Sequence, residues 1–452
     1  MDSQYRLFAQ TRPAKLFFIA AIPGAISMLA SSLYQTLDGM FVGQGLGSVA
    51  FAALNLAMPF VIINFAVADL IGVGSSVPIS INLGQGNKDE ANRIFSLSVL
   101  MILISAVALG GLLFLSAPLL MTLMGADGLF RDYAVLYLRV YALFSPLTTL
   151  TFALDNYLRI CGKVKTSMGL NIAMSVTSAV LEMLFIFVFG WGIWSAALAT
   201  CLGMTVVVVS ALVPFALGRR ALRFVRPRFS KAVVRRILAS GTPSFLNNIA
   251  GRLTSIVFNM MLVRMGGQDA VSTYGVLMYA DGLVQPILYG TCDSLQPAIG
   301  YNWGAGLKSR VRSIEKCCIA ASLVISLTAA TLIHTFPGLL ASIFVDGGNL
   351  PLLEEATGAL TLFSFAFLFR WISFSSQSFF LAIEMPIQAT TISISTALVF
   401  PMIMLFALQG LGLTGIWLNF ASVNVLSAIL SIILVASKWK TIMAKDTVVR
   451  RE

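Results

Sequence analysis

The chain has 452 residues, of which 58% are hydrophobic and only 11% are charged, and its net charge is +11. A soluble domain carries about 25% charged residues, so this chain cannot cover a surface that faces water. The composition therefore excludes a soluble enzyme and a soluble nucleic-acid-binding protein. Because a membrane-spanning helix needs roughly 20 apolar residues, the length leaves room for about twelve such helices with their connections.

Apolar runs bounded by glycine, proline and charged residues predict twelve transmembrane helices. Several runs are longer than a bilayer requires, so tilted or kinked helices are expected. In chain order the predicted helices cover 14–41, 51–81, 92–117, 132–158, 166–189, 193–217, 234–263, 270–300, 313–336, 352–383, 388–408 and 412–437.

Lysine and arginine are concentrated at the two ends of the chain and in the connections that follow predicted helices 2, 4, 6 and 8. Cytoplasmic loops collect these residues, so the distribution predicts a multi-pass protein of the cell (inner) membrane with both termini in the cytoplasm. The net positive charge is thus explained by the orientation of the chain in the membrane, and no nucleic-acid partner is expected.

Identical residues recur at a spacing of 220 positions from the first predicted helix of each half to the last. The repeat predicts two six-helix lobes, 1–217 and 236–452, joined by a basic cytoplasmic linker, 218–235. Because six is even, both lobes enter the membrane from the same side, and transporters built from such parallel repeats bind their substrate between the repeats. The predicted fold is an all-α integral membrane protein with twelve transmembrane helices in two pseudo-symmetric six-helix lobes. Matching pairs include Pro23 and Pro243, Asn82 and Asn302, Gly84 and Gly304, Gly86 and Gly306, and Gly192 and Gly412.

Ionisable side chains inside the predicted helices are candidates for function, because charges are costly in a bilayer and usually face a cavity. The first half has more acids than bases, whereas the second half is balanced. In the first half these residues are Asp38, Asp69, Asp155, Glu182 and Arg139, and in the second half they are Asp281, Asp293, Arg252 and Arg370.

Two polar stripes place Asp38 and Glu182 at similar depth near the outer ends of predicted helices 1 and 5. A spacing of three and four residues puts the members of each stripe on one helix face, and a polar face in lipid must turn inward. The two stripes therefore predict one shared polar chamber. For the serine and asparagine members, hydrogen bonding between helices explains the stripe equally well, whereas for the two acids we favour a function. The stripes are Ser27, Ser31, Tyr34 and Asp38, and Asn171, Ser175, Ser178 and Glu182.

Other charges are predicted to be structural. Asp155 and Arg159 lie four residues apart, as in a helical ion pair. Arg252 and Asp281 fall at comparable depth on consecutive helices and predict a buried pair, while Asp69, Asp293 and Arg370 have no assigned partner. The five cysteines and the single histidine have no spacing typical of a metal site, so no metal or cofactor is expected.

Three motifs resemble those of the multidrug and toxic compound extrusion (MATE) family, and with the twelve helices the resemblance covers nearly the whole chain. They are Ser80–Asn87 (SINLGQGN), Gln296–Gly306 (QPAIGYNWGAG) and Leu158–Gly162 (LRICG). The glycines of these loops allow tight turns and are interpreted as architectural. The resemblance implies an efflux transporter and not an enzyme.

The resemblance also implies roles for individual residues of the proton-coupled prokaryotic branch, which includes the DNA-damage-inducible-like proteins. Asp38 and Tyr34, in the segment YQTLDG with Gln35, correspond to the aspartate and tyrosine of the family's first helix. Glu182 stands where the fifth helix of that branch carries an aspartate, and Ser178 where it often has asparagine. Thr200 and Tyr137 match hydrogen-bonding residues on helices 6 and 4. The expected network around the two acids comprises Tyr34, Gln35, Tyr137, Asn171, Ser178 and Thr200.

We expect an antiporter that exports organic, cationic, amphipathic compounds in exchange for H⁺ by alternating access, as a monomer among membrane lipids. Sodium is the alternative coupling ion, although Gly251 and Ser375–Gln377 occupy regions where the resembled sodium-coupled branch has acids. A lipid-linked oligosaccharide flippase of the same superfamily would favour a cationic cavity, whereas the unpaired charge here is acidic. A membrane-embedded enzyme lacks a visible catalytic set, and a passive channel does not require the repeat.

Overall fold

The computed structural model describes residues 5–345 and 350–446, which are almost wholly helical and contain no strand. In chain order the long helices are α1 Pro13–Leu46, α2 Ser48–Gln85, α3 Lys88–Leu123, α4 Gly128–Ile160, α5 Val164–Val188, α6 Trp194–Ala216, α7 Lys231–Asp293, α8 Gln296–Gly304, α9 Lys308–Thr335, α10 Leu350–Ala382, α11 Pro386–Leu411 and α12 Leu413–Ser437. Three short helical segments, Arg6–Gln10, Pro337–Ser342 and Trp439–Ile442, complete the described secondary structure.

Ten helices of the described residues are long and apolar enough to cross a membrane. The remaining two predicted spans correspond to the two arms of α7, which meet at Gly267 with non-helical backbone angles, φ 62° and ψ −143°. The second arm is continued by α8. The all-α transmembrane architecture predicted from the sequence is therefore confirmed, and the chain is a membrane protein.

The chain divides into two compact units. One consists of 1–10 and 26–245, and the other of 11–25 and 246–452. These units differ from the predicted lobes, 1–217 and 236–452, because the first part of α1 groups with the second unit and the start of α7 groups with the first.

Close backbone packing explains this grouping. On α1, Gly24 lies against Gly290 and Ser294 so closely that a side chain would clash, and Gly241 of α7 lies equally close to Leu70 of α2.

The repeat is visible in the backbone at equivalent glycines. Gly47 and Gly267 both have positive φ, of 87° and 62°, and both join two consecutive helices. Gly86 and Gly306 end α2 and α8 in the left-handed conformation, with φ of 88° and 74°, which favours glycine because it has no Cβ. These two loop glycines therefore act in the architecture of the helix ends, as the sequence indicated.

The linker that follows α6 is bound to the first unit. The backbone N–H groups of Arg223 and Val225 donate to Asn92 Oδ1 and Ser96 Oγ on α3, each at 2.9 Å. Between them the Phe224 ring lies 4.8 Å from the ring of Phe95. The linker is therefore bound to α3 through Arg223–Val225 rather than being a free connection, and this bound segment is named the linker strap.

The segment after α12 repeats this arrangement in the second unit. Arg312 Nη1 of α9, the counterpart of Asn92, donates to the carbonyl oxygens of Ile442 and Ala444, both at 3.1 Å. Each unit thus ends in a strap held by the first turns of its third helix.

Candidate functional site

The candidate site lies in the first unit, where α1, α5 and α6 each contribute a polar side chain. Tyr34 and Asp38 are one helical turn apart on α1, and Glu182 and Thr200 come from α5 and α6. Glu182 is fully buried, and Tyr34 and Thr200 are only 7% and 6% exposed. Directly after Glu182 the helix widens into a π-helical turn, Leu184–Val188, a feature often found at functional sites.

Tyr34 connects Glu182 to Thr200. The Tyr34 hydroxyl donates to Glu182 Oε2 at 3.3 Å, and it lies 2.6 Å from Thr200 Oγ1. The Thr200 hydroxyl also donates to the backbone carbonyl oxygen of Ala196 at 3.3 Å. The Tyr34 hydroxyl therefore links Thr200 to the carboxyl group of Glu182.

The carboxyl groups of Asp38 and Glu182 lie next to each other. Two ionised carboxylates at such close range repel each other. Asp38 Oδ1 and Glu182 Oε1 are both buried, and neither receives a hydrogen bond from any donor among the described residues. The geometry is thus that of a pair of neighbouring buried acids.

Tyr141 of α4, which the sequence analysis did not single out, lies beside these residues. Its side chain is next to Thr200 and Tyr137, and the rings of Tyr137 and Tyr141 lie 5.3 Å apart. The Tyr137 hydroxyl also lies 3.8 Å from the sulfur of Met58. The spacing of four residues between the two tyrosines was the available signal, because it places both rings on the same face of α4.

Three predicted members of the network are not bonded to the acids. Gln35 is exposed on α1, and no hydrogen bond described for the chain joins it to Asp38 or Glu182. Ser178 is fully buried but packs against Gly203 of α6, where a side chain would clash with its hydroxyl. The interpretation of these two residues as partners of the acids was therefore wrong.

The third of these residues, Asn171, belongs to a different network around Asp155. Its amide donates to Asp155 Oδ1 at 2.7 Å, and Ser167 Oγ donates to the same oxygen. The predicted ion pair is present, with Arg159 Nη2 2.7 Å from Asp155 Oδ2. Asp155 is therefore neutralised by a structural network between α4 and α5, and Asn171 was assigned to the wrong acid.

In the second unit Asp281 pairs with Arg370 of α10, and the prediction of an Arg252–Asp281 pair was wrong. Arg370 Nη1 bonds Asp281 Oδ1 and Nη2 lies 3.2 Å from Oδ2, so the contact is bidentate. The guanidinium also lies 5.4 Å from the centre of the Phe367 ring. Arg252 is exposed and forms no ion pair with any residue that the structure describes.

The two remaining acids do not join the candidate pair. Asp293 Oδ1 accepts hydrogen bonds from Gln296 Nε2 and Ser378 Oγ, both at 2.8 Å. Asp69 lies half-buried on α2. Of the acids predicted inside helices, only Asp38 and Glu182 are brought into contact with each other.

The acid pair gives this site a surplus of negative charge. With both carboxyl groups ionised, the pair carries two charges within a shell of hydroxyl groups and aromatic rings. No basic side chain of the described chain is paired with Asp38 or Glu182. The site can therefore attract a positively charged group.

Comparisons with known proteins agree with this arrangement of the fold. A model of the MatE family matches residues 23–188 and 243–406, two segments that start at equivalent positions of the repeat. The Multidrug export protein MepA of Staphylococcus saprophyticus is 27% identical over 420 residues, which cover 92% of each chain. MepA of Staphylococcus aureus is 26% identical over 425 residues, again 92% of each chain.

A solved structure shows the same fold over the whole length. A MATE transporter in complex with MaL6 superposes with a TM-score of 0.92 at 22% identity, covering 98% of this chain and 99% of that chain. At this identity the likeness concerns the fold alone, whereas the family model covers most of the sequence on both sides of the linker. The chain therefore belongs to the MatE family, the family that its motifs resemble, and it is an efflux transporter and not an enzyme.

Proposed function

We propose that the chain is a multidrug antiporter that exports organic, cationic, amphipathic compounds in exchange for H⁺ by alternating access. The observation that carries the proposal is the adjacent pair of buried carboxyl groups, Asp38 and Glu182, which have no basic partner in the described chain. The names of the relatives, multidrug export proteins, support the class of substrate.

Competition for the acid pair supplies the coupling. A proton bound between the carboxyl groups weakens their attraction for a cation, and a bound cation favours loss of the proton. By linkage, each ligand lowers the affinity of the other by the same factor. Protons that enter from the outside would therefore favour release of cargo there, and cargo that binds from the cytoplasm would expel the proton.

The surroundings of the pair suit an organic cation. The rings of Tyr34, Tyr137 and Tyr141 contribute aromatic surface, which attracts cations through its negative face. The thioether of Met58 is polarizable and adapts to different shapes, as in other promiscuous binding surfaces. The site thus combines negatively charged carboxyl groups with aromatic and thioether side chains that do not select one ligand shape, as a transporter of many cations requires.

Two rival functions differ in their requirement for charge. A flippase for lipid-linked oligosaccharides would need cations for the phosphate groups of its substrate, whereas Arg370 is already neutralised by Asp281. A sodium-coupled exporter could use the same two carboxylates, because they are hard oxygen ligands. Sodium is therefore the alternative that the experiment must separate from protons.

The orientation and the assembly are part of the proposal. The basic ends of the helices favour cytoplasmic termini and export through the inner membrane of the cell. All members of the acid pair and its hydroxyl shell lie in one unit of a single chain. A monomer therefore has a complete coupling site, and membrane lipids are its only required neighbours.

The experiment is ethidium transport in proteoliposomes under an imposed proton gradient, and separately under an imposed sodium gradient. Wild-type protein is compared with Asp38→Asn and Glu182→Gln, and with Asp132→Asn, which removes an exposed acid at the outer end of α4. We expect proton-driven transport by wild type and Asp132→Asn, and its loss in both variants of the pair. Full proton-driven transport by well-inserted Asp38→Asn protein would reject the coupling role, and transport driven only by sodium would reject H⁺ as the coupling ion.

A further inference from the structure

A cavity of about 280 Å³ lies within the second unit, between α9, α10 and α12. Its walls are mainly apolar and include Ile319 of α9, Trp371 of α10 and Val435 of α12, with Trp439 just beyond the end of α12. Ile319 and Trp439 are 37% and 52% exposed, so the cavity opens to the outer surface of the unit. It shares no residue with the acid pair.

The cavity lies where the second unit departs from the repeat. At the spacing of 220 residues, Val435, which lines the cavity, corresponds to Phe215. In the first unit Phe215 is fully buried and its ring lies 5.2 Å from the ring of Phe95. The second unit has the smaller Val435 in place of the Phe215 ring. Because protein interiors are close-packed, an apolar space of this size favours an occupant.

The depth of the cavity indicates where its occupant comes from. Val435 belongs to the last turn of α12, and Ile319 is eleven residues, or roughly 16 Å, from the start of α9. The cavity therefore lies in the half of the unit that carries the basic helix ends. Trp439 follows at the position where tryptophan commonly marks the boundary between membrane and water.

Basic residues are close in sequence to residues that line the opening. Lys438 and Lys440 directly precede and follow Trp439, and Lys316 is three residues before Ile319 on α9. Lys316 and Lys440 are exposed, whereas the neighbouring acid Glu315 is buried, with 9% exposure. The charge available at the mouth is therefore positive. Basic pockets between transmembrane helices on the cytoplasmic side bind the headgroups of anionic lipids.

We propose that this cavity is a binding site for an anionic phospholipid of the inner leaflet. One acyl chain fills the space beside Val435, where the first unit has Phe215, and the phosphate lies at Lys316, Lys438 and Lys440. The proposal rests on the cytoplasmic orientation of the basic helix ends, but not on proton coupling or on the nature of the cargo. Lipid binding can therefore fail or succeed independently of transport.

The first test is the amount of lipid that remains bound to protein purified in mild detergent, measured by native mass spectrometry. Val435→Phe restores the residue of the first unit and fills the cavity. Ile433→Phe adds the same ring two residues away at a position that is 58% exposed and does not line the cavity. We expect about a tenfold loss of bound phosphatidylglycerol in the first variant only. Equal retention by both variants would overturn the proposal.

The second test separates the headgroup from the acyl chain. Phosphatidylglycerol and phosphatidylcholine with brominated acyl chains are compared as quenchers of tryptophan fluorescence in reconstituted protein. We expect stronger quenching by the anionic lipid, and loss of this difference in the double variant Trp371→Phe/Trp439→Phe, which removes both tryptophans that line the cavity.

Replacing the lysines tests the headgroup contact directly. One lysine near an anionic surface is worth roughly a fivefold preference. The Lys316→Gln, Lys438→Gln and Lys440→Gln variants should each lower the preference for phosphatidylglycerol, whereas Lys165→Gln at the start of α5 should not. Equal quenching by both lipids in wild-type protein, or displacement of the quencher by ethidium, would show that the cavity holds a neutral lipid or cargo and would overturn the proposal.

Discussion

The carboxyl groups of Asp38 and Glu182 lie next to each other although they come from the first and fifth helices of the chain. In the proposed exchange, a proton on this pair competes with a cation beside it. This competition makes a pH dependence of binding the most direct consequence of the geometry.

Binding of a cationic drug should weaken as the pH falls. Protonation of the pair lowers the negative charge that attracts the drug, so the dissociation constant of ethidium, measured by fluorescence polarisation in detergent, should rise steadily toward acid pH. In Glu182→Gln the pair cannot acquire its second negative charge, and the dependence should be flatter. A wild-type dissociation constant that does not change with pH would contradict the proposed competition between proton and drug.

Removing the Tyr34 hydroxyl should weaken coupling without loss of the fold. Tyr34→Phe keeps the ring but deletes the donor to Glu182 and the partner of Thr200. A buried polar group left without a partner costs about 1 to 3 kcal/mol, so we expect roughly a tenfold or greater loss of proton-driven ethidium transport. Tyr289→Phe, which removes the hydroxyl partner of Asn247 in the second unit, is the matched control. An equal loss in both variants would contradict a specific role for Tyr34.

The bidentate ion pair of Asp281 and Arg370 should contribute more to the stability of the fold than to transport. Removing one member of a buried ion pair costs roughly 3 to 5 kcal/mol, because the other charge is left without its partner. We therefore expect Arg370→Gln to lower the thermal unfolding midpoint, and the double variant Asp281→Asn/Arg370→Gln to recover part of that loss. Arg252→Gln should have little effect, since this exposed arginine has no ion-pair partner in the described chain. Strictly additive losses in the double variant would show that the two charges do not stabilise each other.

The linker strap gives a prediction that can be measured by proteolysis. Asn92 and Ser96 hold the backbone of Arg223 and Val225, and each hydrogen bond contributes about 1 kcal/mol, or roughly a fivefold change in local opening. Asn92→Ala and Ser96→Ala should speed tryptic cleavage within the linker by that factor. Ser116→Ala removes a hydroxyl that bonds only within α3 and should leave the rate unchanged. Unchanged cleavage in all three variants would indicate that the strap is held by its aromatic contacts alone.

The sequence determined the helices, the repeat and the acid pair, because each depends on a periodic pattern. Hydrophobic runs, the spacing of 220 residues and the stripe that ends at Asp38 are all local or self-similar signals. The hydrogen-bond partners of the acids were harder to predict from the sequence. Asn171 shares a stripe with Glu182, but the eleven residues between them correspond to roughly 16 Å along α5, so Asn171 lies at the depth of Asp155.

The ion-pair partner of Asp281, which is Arg370 and not Arg252, could not be predicted from the sequence for the same reason. Depth and neighbouring position along the chain favoured Arg252 as the partner of Asp281, whereas the contact is made by α10, which is distant in sequence. Which face of a helix turns toward which neighbour depends on packing between non-consecutive helices, and one sequence does not specify it. The strap was missed for a similar reason, because a basic connecting segment has the composition of a free linker.

The end of the second strap should respond to acid, and the sign of the effect follows from its contacts. Hydrogen bonds from the backbone N–H of Ser309, at 2.7 Å, and from the Ser309 hydroxyl hold the pKa of Asp446 below its ordinary value. A carboxyl group with a lowered pKa in the folded state stabilises that state above the ordinary value, about 3.9 for aspartate, and the contribution is lost as the pH falls through the lowered value. The strap should therefore stay docked from neutral to mildly acidic pH.

The variant Asp446→Asn should release the strap at neutral pH, which would increase the quenching of Trp439 by acrylamide. The control variant Asp127→Asn, a change far from this strap in sequence, should not increase the quenching. Equal quenching of wild type and Asp446→Asn at neutral pH would show that the carboxylate does not hold the strap, and that the bonds from Arg312 to Ile442 and Ala444 are sufficient.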